Sequence, residues 1–250
     1  MNDLYYGVKV MREDGRKNNE LRKVKVISNY LNNPSGSVLV EFGGTKVICC
    51  ASIVNEIPGW MRAQNVKGGW ITAEYQLLPT STHDRVKRER KGVSGRTQEI
   101  QRLIGRSLRA ACDLEKIPGK TIYIDCDVID ADGGTRCASI SGAMIALNIA
   151  VAKLIKEGGL NETPIKAQVA GVSVGMLNGE PILDLCYSED SAAEVDMNII
   201  MTSEGEFVEV QGTAEGKTFS REQMNQMLDL AVKGNNEILE IQKTSFASNM

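Results

Sequence analysis

An α+β fold of mixed sheets and packed helices is predicted by three features of this 250-residue sequence. Short alternating segments joined by tight Gly or Asn-Gly turns recur along it, and two long stretches carry apolar residues at helical spacing. The two kinds of segment are interspersed without regular alternation, which argues against a doubly wound parallel sheet.

In chain order, residues 24–27 alternate, and the runs SVLVEF and KVICCASIV are joined by Gly43 and Gly44. These read as β-hairpins, with GGWITAEYQLL, residues 68–78, as the next strand of the same group. A polar, basic loop follows. Ile100, Leu103, Ile104, Leu108 and Ala111 share one helical face and predict a helix over about 97–112, capped by Ser94 or Thr97. Residues 121–129, TIYIDCDVI, predict a strand that glycines break before a long apolar helix ending near Gly158. In AQVAGVSVGMLNGEPILDLCY, Asn178 and Gly179 supply the positive φ values of a type I′ hairpin turn. SEDSAAEVD reads as an acidic loop, and MNIIMTSEGEFVEVQG as a second hairpin turning near Glu204 and Gly205. Ser220 and Gln223 form a capping box that opens the last helix. No linker or short repeat divides the chain, so one compact domain is expected.

No apolar run reads as a membrane span and the N-terminus lacks a signal-peptide core, so a cytoplasmic protein without a membrane partner is expected. The six cysteines (Cys49, Cys50, Cys112, Cys126, Cys137, Cys186) show no metal-ligand spacing and read as reduced core residues. The formal net charge is -3, which by itself argues against a nucleic-acid partner. That total is an average: residues 84–109 hold nine basic and three acidic side chains, a balance of +6, against -9 elsewhere. Such a segment suits a polyanion, or is a solvated helix face.

Three places could carry chemistry. At Gly133-Gly134-Thr135-Arg136, two glycines turn several N–H groups toward one point at a helix start, Thr135 adds a hydroxyl and Arg136 a charged fork. These are the parts of a phosphate site, although a plain strand-to-helix turn has the same glycines, and neither a Walker A loop nor GxGxxG is present. Arg96, beside the start of the helix near Thr97, places a cation where the helix dipole disfavours it, so it is a second anion-binding candidate or a surface arginine. The acidic stretch holds Asp184, Glu189, Asp190, Glu194 and Asp196. Asp190 and Asp196 could converge on Mg²⁺ or Mn²⁺, or share a raised pKa, with Asn198 facing the same side as Asp196; a solvated loop is the plain alternative. His83, the single histidine, lies in a polar loop without a nucleophile motif and reads as non-catalytic. The two tryptophans and six tyrosines are too dispersed for a base-stacking sheet.

The ordered blocks MREDGRKNNELR, GSVLVEFGGTKVICCASI, GWITAEYQLLP, SGRTQEIQRLIGRSLRA, TIYIDCDVIDADGGTR, LDLCYSEDSAAEVDMNIIMT and FVEVQGTAEGKTFSREQ closely resemble the bacterial RNase PH family over nearly the whole chain. The resemblance implies an RNase PH-type βαβα fold over residues 11–245, preceded by an N-terminal extension, 1–10. It implies a phosphorolytic 3′-to-5′ exoribonuclease that trims tRNA precursors and other RNA 3′ ends, using inorganic phosphate and releasing nucleoside 5′-diphosphates. By the same resemblance Arg96, Gly134, Thr135 and Arg136 bind phosphate, and Asp190 and Asp196 are the catalytic and metal-binding carboxylates for Mg²⁺ or Mn²⁺. Asn198 stands where relatives place a further metal-side residue. A homohexamer, a trimer of dimers, is implied too. The chain departs from the pattern where Thr80 replaces the arginine after the LP pair, MRAQNVKGGW is longer and TSTHDRVKRERKGVSGR is shorter. Arg85, Arg88 and Arg90 are therefore expected to bind the RNA body. A catalytically silent RNA-binding ring subunit is the alternative, and it lacks support in the sequence because Arg96, Arg136, Asp190 and Asp196 are all present.

Overall fold

The computed structural model describes residues 12–247. The expected N-terminal extension, residues 1–10, lies outside them. Strands β1 (Val24–Ser28), β2 (Gly36–Phe42) and β3 (Thr45–Val54) form an antiparallel meander, followed by a short helix α1 (Gly59–Ala63) and strand β4 (Trp70–Leu77). Helix α2 (Gly95–Ala110), strand β5 (Thr121–Asp130) and helix α3 (Thr135–Lys156) come next. The second half contains the hairpin β6 (Val169–Leu177) and β7 (Glu180–Leu183), the one-turn helix α4 (Tyr187–Asp190), the hairpin β8 (Val195–Thr202) and β9 (Phe207–Ala214), and helix α5 (Arg221–Ala247).

The strands form two sheets, ordered β1-β2-β3-β5-β4 and β7-β6-β8-β9. The α+β expectation holds, with one correction to the first sheet. Residues 68–78 do not extend the hairpins: β4 lies at the edge, parallel to β5, and β5 separates it from β3. A parallel pair needs a long crossover, and α2 provides it. The expected acidic loop is also more ordered than its composition suggests, since it holds the turn α4 and β8 already begins at Val195.

Helix α3 lies between the sheets, packed on β2 and β3 of one and on β6 of the other, while α2 covers β4 and α5 runs along β6 and β7. One hydrophobic core extends through both halves, from Val38, Ile104 and Ile124 to Val172, Ile199 and Met227. Burying each such Ile or Val contributes roughly 1.5–3 kcal/mol relative to exposure. Helix α3 is covered almost all round, which is why its residues lack an amphipathic stripe. Gly142 permits its close approach to the first sheet, because a Cβ there would lie 2.7 Å from Cys49 Sγ. Contrary to the sequence reading, α3 is long and apolar enough to cross a membrane, with mean hydropathy 1.7 over the relevant window; 72% of that window is buried within the protein. The six cysteines are free thiols, five of them buried.

Candidate functional site

The turn between β5 and α3 builds one wall of a cavity of about 220 Å³. Gly133 and Gly134 both take positive φ, 73° and 64°, and neither could carry a side chain without strain. A Cβ at Gly133 would lie 2.5 Å from the Leu185 carbonyl oxygen, so the turn is pressed against the chain that leads into α4. Gly134 is the N-cap of α3 and offers no capping side chain, which leaves first-turn N–H groups and the positive end of the helix dipole for a ligand. Thr135 is buried, and its Oγ1 lies 2.8 Å from the hydroxyl of buried Tyr75. Arg136 Nη1 donates to Gln211 Oε1 at 2.6 Å and to Glu99 Oε1 at 3.4 Å, so the guanidinium is held in place.

Arg96, the second residue of α2, faces this turn across the cavity. The helix starts two residues earlier than its apolar stripe suggests, because Ser94 is the N-cap and accepts the Thr97 N–H at 3.2 Å. On the other side stand Asp190 from α4, and Asp196 and Asn198 from β8. Partial desolvation raises the Asp190 carboxyl above its ordinary pKa, the charge of Asp196 adds to this, and Arg96, Arg136 and Arg22 oppose it. Asp196 is also raised, by desolvation and then by Glu215, against Arg136. Asn198 Oδ1 accepts from Cys137 Sγ at 3.3 Å.

The cavity thus brings together Arg96, Gly134, Thr135, Arg136, Asp190, Asp196 and Asn198, drawn from four elements. It does not include Arg85, Arg88 or Arg90, which are exposed in the segment before α2, nor His83, which is fully exposed and 3.7 Å from Asp84. The +6 stretch is not one binding face: Arg106 pairs with Glu209 at 2.6 Å, and Arg109 stacks 4.5 Å above Trp70 and donates to the Ile71 carbonyl. The acidic stretch is likewise divided, with Asp184 and Glu189 in buried ion pairs and Glu194 held by Lys217 at 2.9 Å. Sequence reasoning missed Ser173 and Tyr187 in the lining. Ser173 sits in an apolar strand that signals only core, whereas Tyr187 adjoins the acidic block and is 65% exposed.

Residues 20–153 match domain 1 of the 3′ exoribonuclease family, and residues 167–247 match its domain 2. Among solved structures, the chain is similar to one from Archaeoglobus fulgidus, described as the exosome with RNA bound to the active site: 22% identity, TM-score 0.78, 92% of each chain covered. It is also similar to rice (Oryza sativa) Rrp46, with 20% identity, TM-score 0.75, and 94% and 100% of the two chains covered. An archaeal exosome core chain gives 22% identity and a TM-score of 0.75, with 93% and 91% covered. At these identities the likeness speaks for the fold.

Proposed function

The chain belongs to the 3′ exoribonuclease family, whose two domains it matches in order, and from that premise we propose that it is a phosphorolytic 3′-to-5′ exoribonuclease of the bacterial RNase PH kind. The observation that carries the proposal is the single cavity in which two arginines, a glycine turn at a helix N-terminus and two carboxylates face one another. A phosphate seated there is gripped by Arg96, Arg136, the N–H groups of the turn and the Thr135 hydroxyl. The Tyr75 and Thr135 hydroxyls share one hydrogen bond in which either can donate, and with Tyr75 as donor the threonine proton is free for the anion.

One oxygen of the bound phosphate attacks the phosphorus of the last internucleotide linkage. A P–O–P bond forms, the P–O3′ bond breaks, and a nucleoside 5′-diphosphate leaves. Two anions must approach each other, and preorganised guanidinium forks with the α3 N-terminus lower that repulsion as charge builds in the transition state. The leaving 3′-oxygen takes a proton, and Asp190, with its raised carboxyl pKa, is suited to deliver it.

The donor set also fits a hard divalent cation. Asp196 and Asn198 supply oxygens on one wall, and Asp190 would join them in its ionised form, as the alternative to delivering the proton; no cluster of three or more His, Cys, Asp or Glu of metal-binding geometry occurs among the described residues, so substrate phosphates and water would complete the shell. Mg²⁺ or Mn²⁺ there would stabilise negative charge on the reacting phosphates.

Trimming of tRNA precursors and assembly as a homohexamer belong to the same proposal, and the likeness to exosome core chains supports a ring. That likeness also favours a second reading, a silent RNA-binding ring subunit. Incubating RNA that has a free 3′ end with and without inorganic phosphate separates them: nucleoside diphosphates released only with phosphate support the enzyme, and no release supports the silent subunit. Monophosphates released in phosphate-free buffer would mean hydrolysis and overturn the proposal.

A further inference from the structure

We propose, on the footing of the phosphorolytic reading, that Arg12 and Arg22 are separate positioning residues: Arg12 acts through Glu189 on the half of the cavity holding Asp190, and Arg22 acts through Asp184 and the 132–133 carbonyls on the phosphate turn.

The segment that carries them runs along the outer edge of β7, where the Leu183 N–H donates to the Asn18 carbonyl at 2.7 Å. Arg12 is buried. Its Nε and Nη2 each donate to one Glu189 oxygen at 2.6 Å, Nη1 donates to the Leu183 carbonyl at 2.8 Å, and Nη2 to the Asp184 carbonyl at 2.9 Å. The Glu189 carboxylate that receives this fork also accepts the Cys186 N–H at 3.0 Å and so closes the first turn of α4. Asp190 is the next residue, and its N–H donates to the Cys186 carbonyl at 2.9 Å. A four-residue helix cannot hold its own orientation, since isolated helices several times longer are marginal in water. Adjacent helical residues are rotated by about 100°. Fixing Glu189 inward on Arg12 therefore fixes the direction in which Asp190 leaves α4.

Arg22 makes the equivalent fork to Asp184, Nε to Oδ2 at 3.0 Å and Nη2 to Oδ1 at 2.7 Å. It also donates to the carbonyls of Asp132 and, at 3.4 Å, Gly133. Thr45 Oγ1 holds the same Gly133 carbonyl at 2.7 Å. Because a trans peptide carries its C=O and N–H on opposite sides, pinning the Gly133 carbonyl toward Arg22 turns the Gly134 N–H away from it. Arg16 lies between the two pairs, 3.6 Å from both Asp184 Oδ2 and Glu189 Oε2.

A purely structural network would lower the folded fraction and leave each folded site unchanged, so the test normalises to folded protein. Glu189→Gln and Arg12→Lys should lower kcat by about 10- to 100-fold, the range that small misplacement of a reacting group produces. Their Kd for inorganic phosphate, measured by calorimetry, should stay within about twofold of wild type. Arg22→Lys should do the reverse, raising phosphate Kd about tenfold with kcat at saturating phosphate little changed. The double variant R12Q/E189Q removes both charges together, leaves no buried ion unpaired, and should show the same loss confined to kcat. Loss of kcat and phosphate affinity in parallel, or loss of neither, overturns the proposal. A wild-type protein without phosphate-dependent turnover would refute the functional reading alone. The phosphate titrations then decide, because an unchanged Kd in Arg22→Lys refutes the positioning role and a raised one, with Glu189→Gln unaffected, supports it.

Discussion

Arg136 reaches the cavity already oriented, because Gln211 and Glu99 both accept from its Nη1. Such preorganisation makes the planar fork hard to replace by a flexible ammonium. Arg136→Lys should raise the phosphate KM by roughly 10- to 100-fold, the loss of one charge-assisted hydrogen bond worth about 1.5–3 kcal/mol, and steady-state kinetics with varied phosphate would show it. Asp190→Asn keeps the shape and removes the group proposed to carry the proton; turnover should fall about 10²- to 10⁴-fold while RNA affinity, measured by filter binding, stays within a few-fold. A normal rate at saturating RNA would sink the role given to Asp190. At this scale residue type alone left the arginines and aspartates open, because glycine turns, surface arginines and solvated acidic loops use the same residues, and it was the family resemblance that singled them out. Ser173, Arg12 and Arg22 were not singled out, because a hydroxyl in an apolar strand and arginines in a polar segment have many structural uses.

Among the elements, α3 and α4 stand at opposite extremes. Helix α3 carries the glycine turn on a scaffold packed on both sides, so added volume there is resisted. Gly142→Ala would bring a methyl within 2.7 Å of Cys49 Sγ and 2.9 Å of Val40 Cγ2. Overpacking of this kind should cost about 1–3 kcal/mol in urea denaturation. Helix α4 depends on its ion pairs instead. Burial pushes Glu189 up, but the Arg12 fork and the Cys186 N–H outweigh it and hold the carboxyl below its ordinary value. A depressed folded-state pKa gives stability above the unfolded carboxylate value, which is lost as pH falls through the folded one. Denaturation midpoints measured from pH 6 downward should therefore fall more steeply for wild type than for Glu189→Gln across the acid range, roughly below pH 5; parallel acid limbs would contradict this. Helix α2 and the Asn178-Gly179 hairpin were legible from local periodicity and turn chemistry. The placement of β4 beside β5 was not, since a parallel partner 51 residues away leaves no local mark.

Across the whole molecule, the charge asymmetry changes meaning once the side chains are placed. The +6 stretch separates into an exposed run including Arg85, Arg88 and Arg90, a cavity residue, Arg96, the exposed helix residues Arg102 and Arg106, the latter paired with Glu209, and the half-buried Arg109 on Trp70. If the exposed run meets RNA, affinity should fall steeply with salt despite the net charge of -3, and replacing Arg85, Arg88 and Arg90 together by alanine should shallow the log–log salt slope by up to about three. An unchanged slope in that triple variant would show the run to be a solvated face. Light scattering at six times the 27.3 kDa chain mass is the matching expectation for a hexamer.

The α+β class, the long helices and most hairpins, and the residue types from which a phosphate and carboxylate chemistry is proposed could be read along the chain, because periodicity, turn residues and ionisable groups are local properties. Which of those groups meet depends on packing between distant segments. Packing α3 between two sheets brings the glycine turn, α2, α4 and β8 to one cavity, and buries Asp184 and Glu189 against arginines more than 160 residues away in the chain, where partner choice depends on the fold and not on sequence distance.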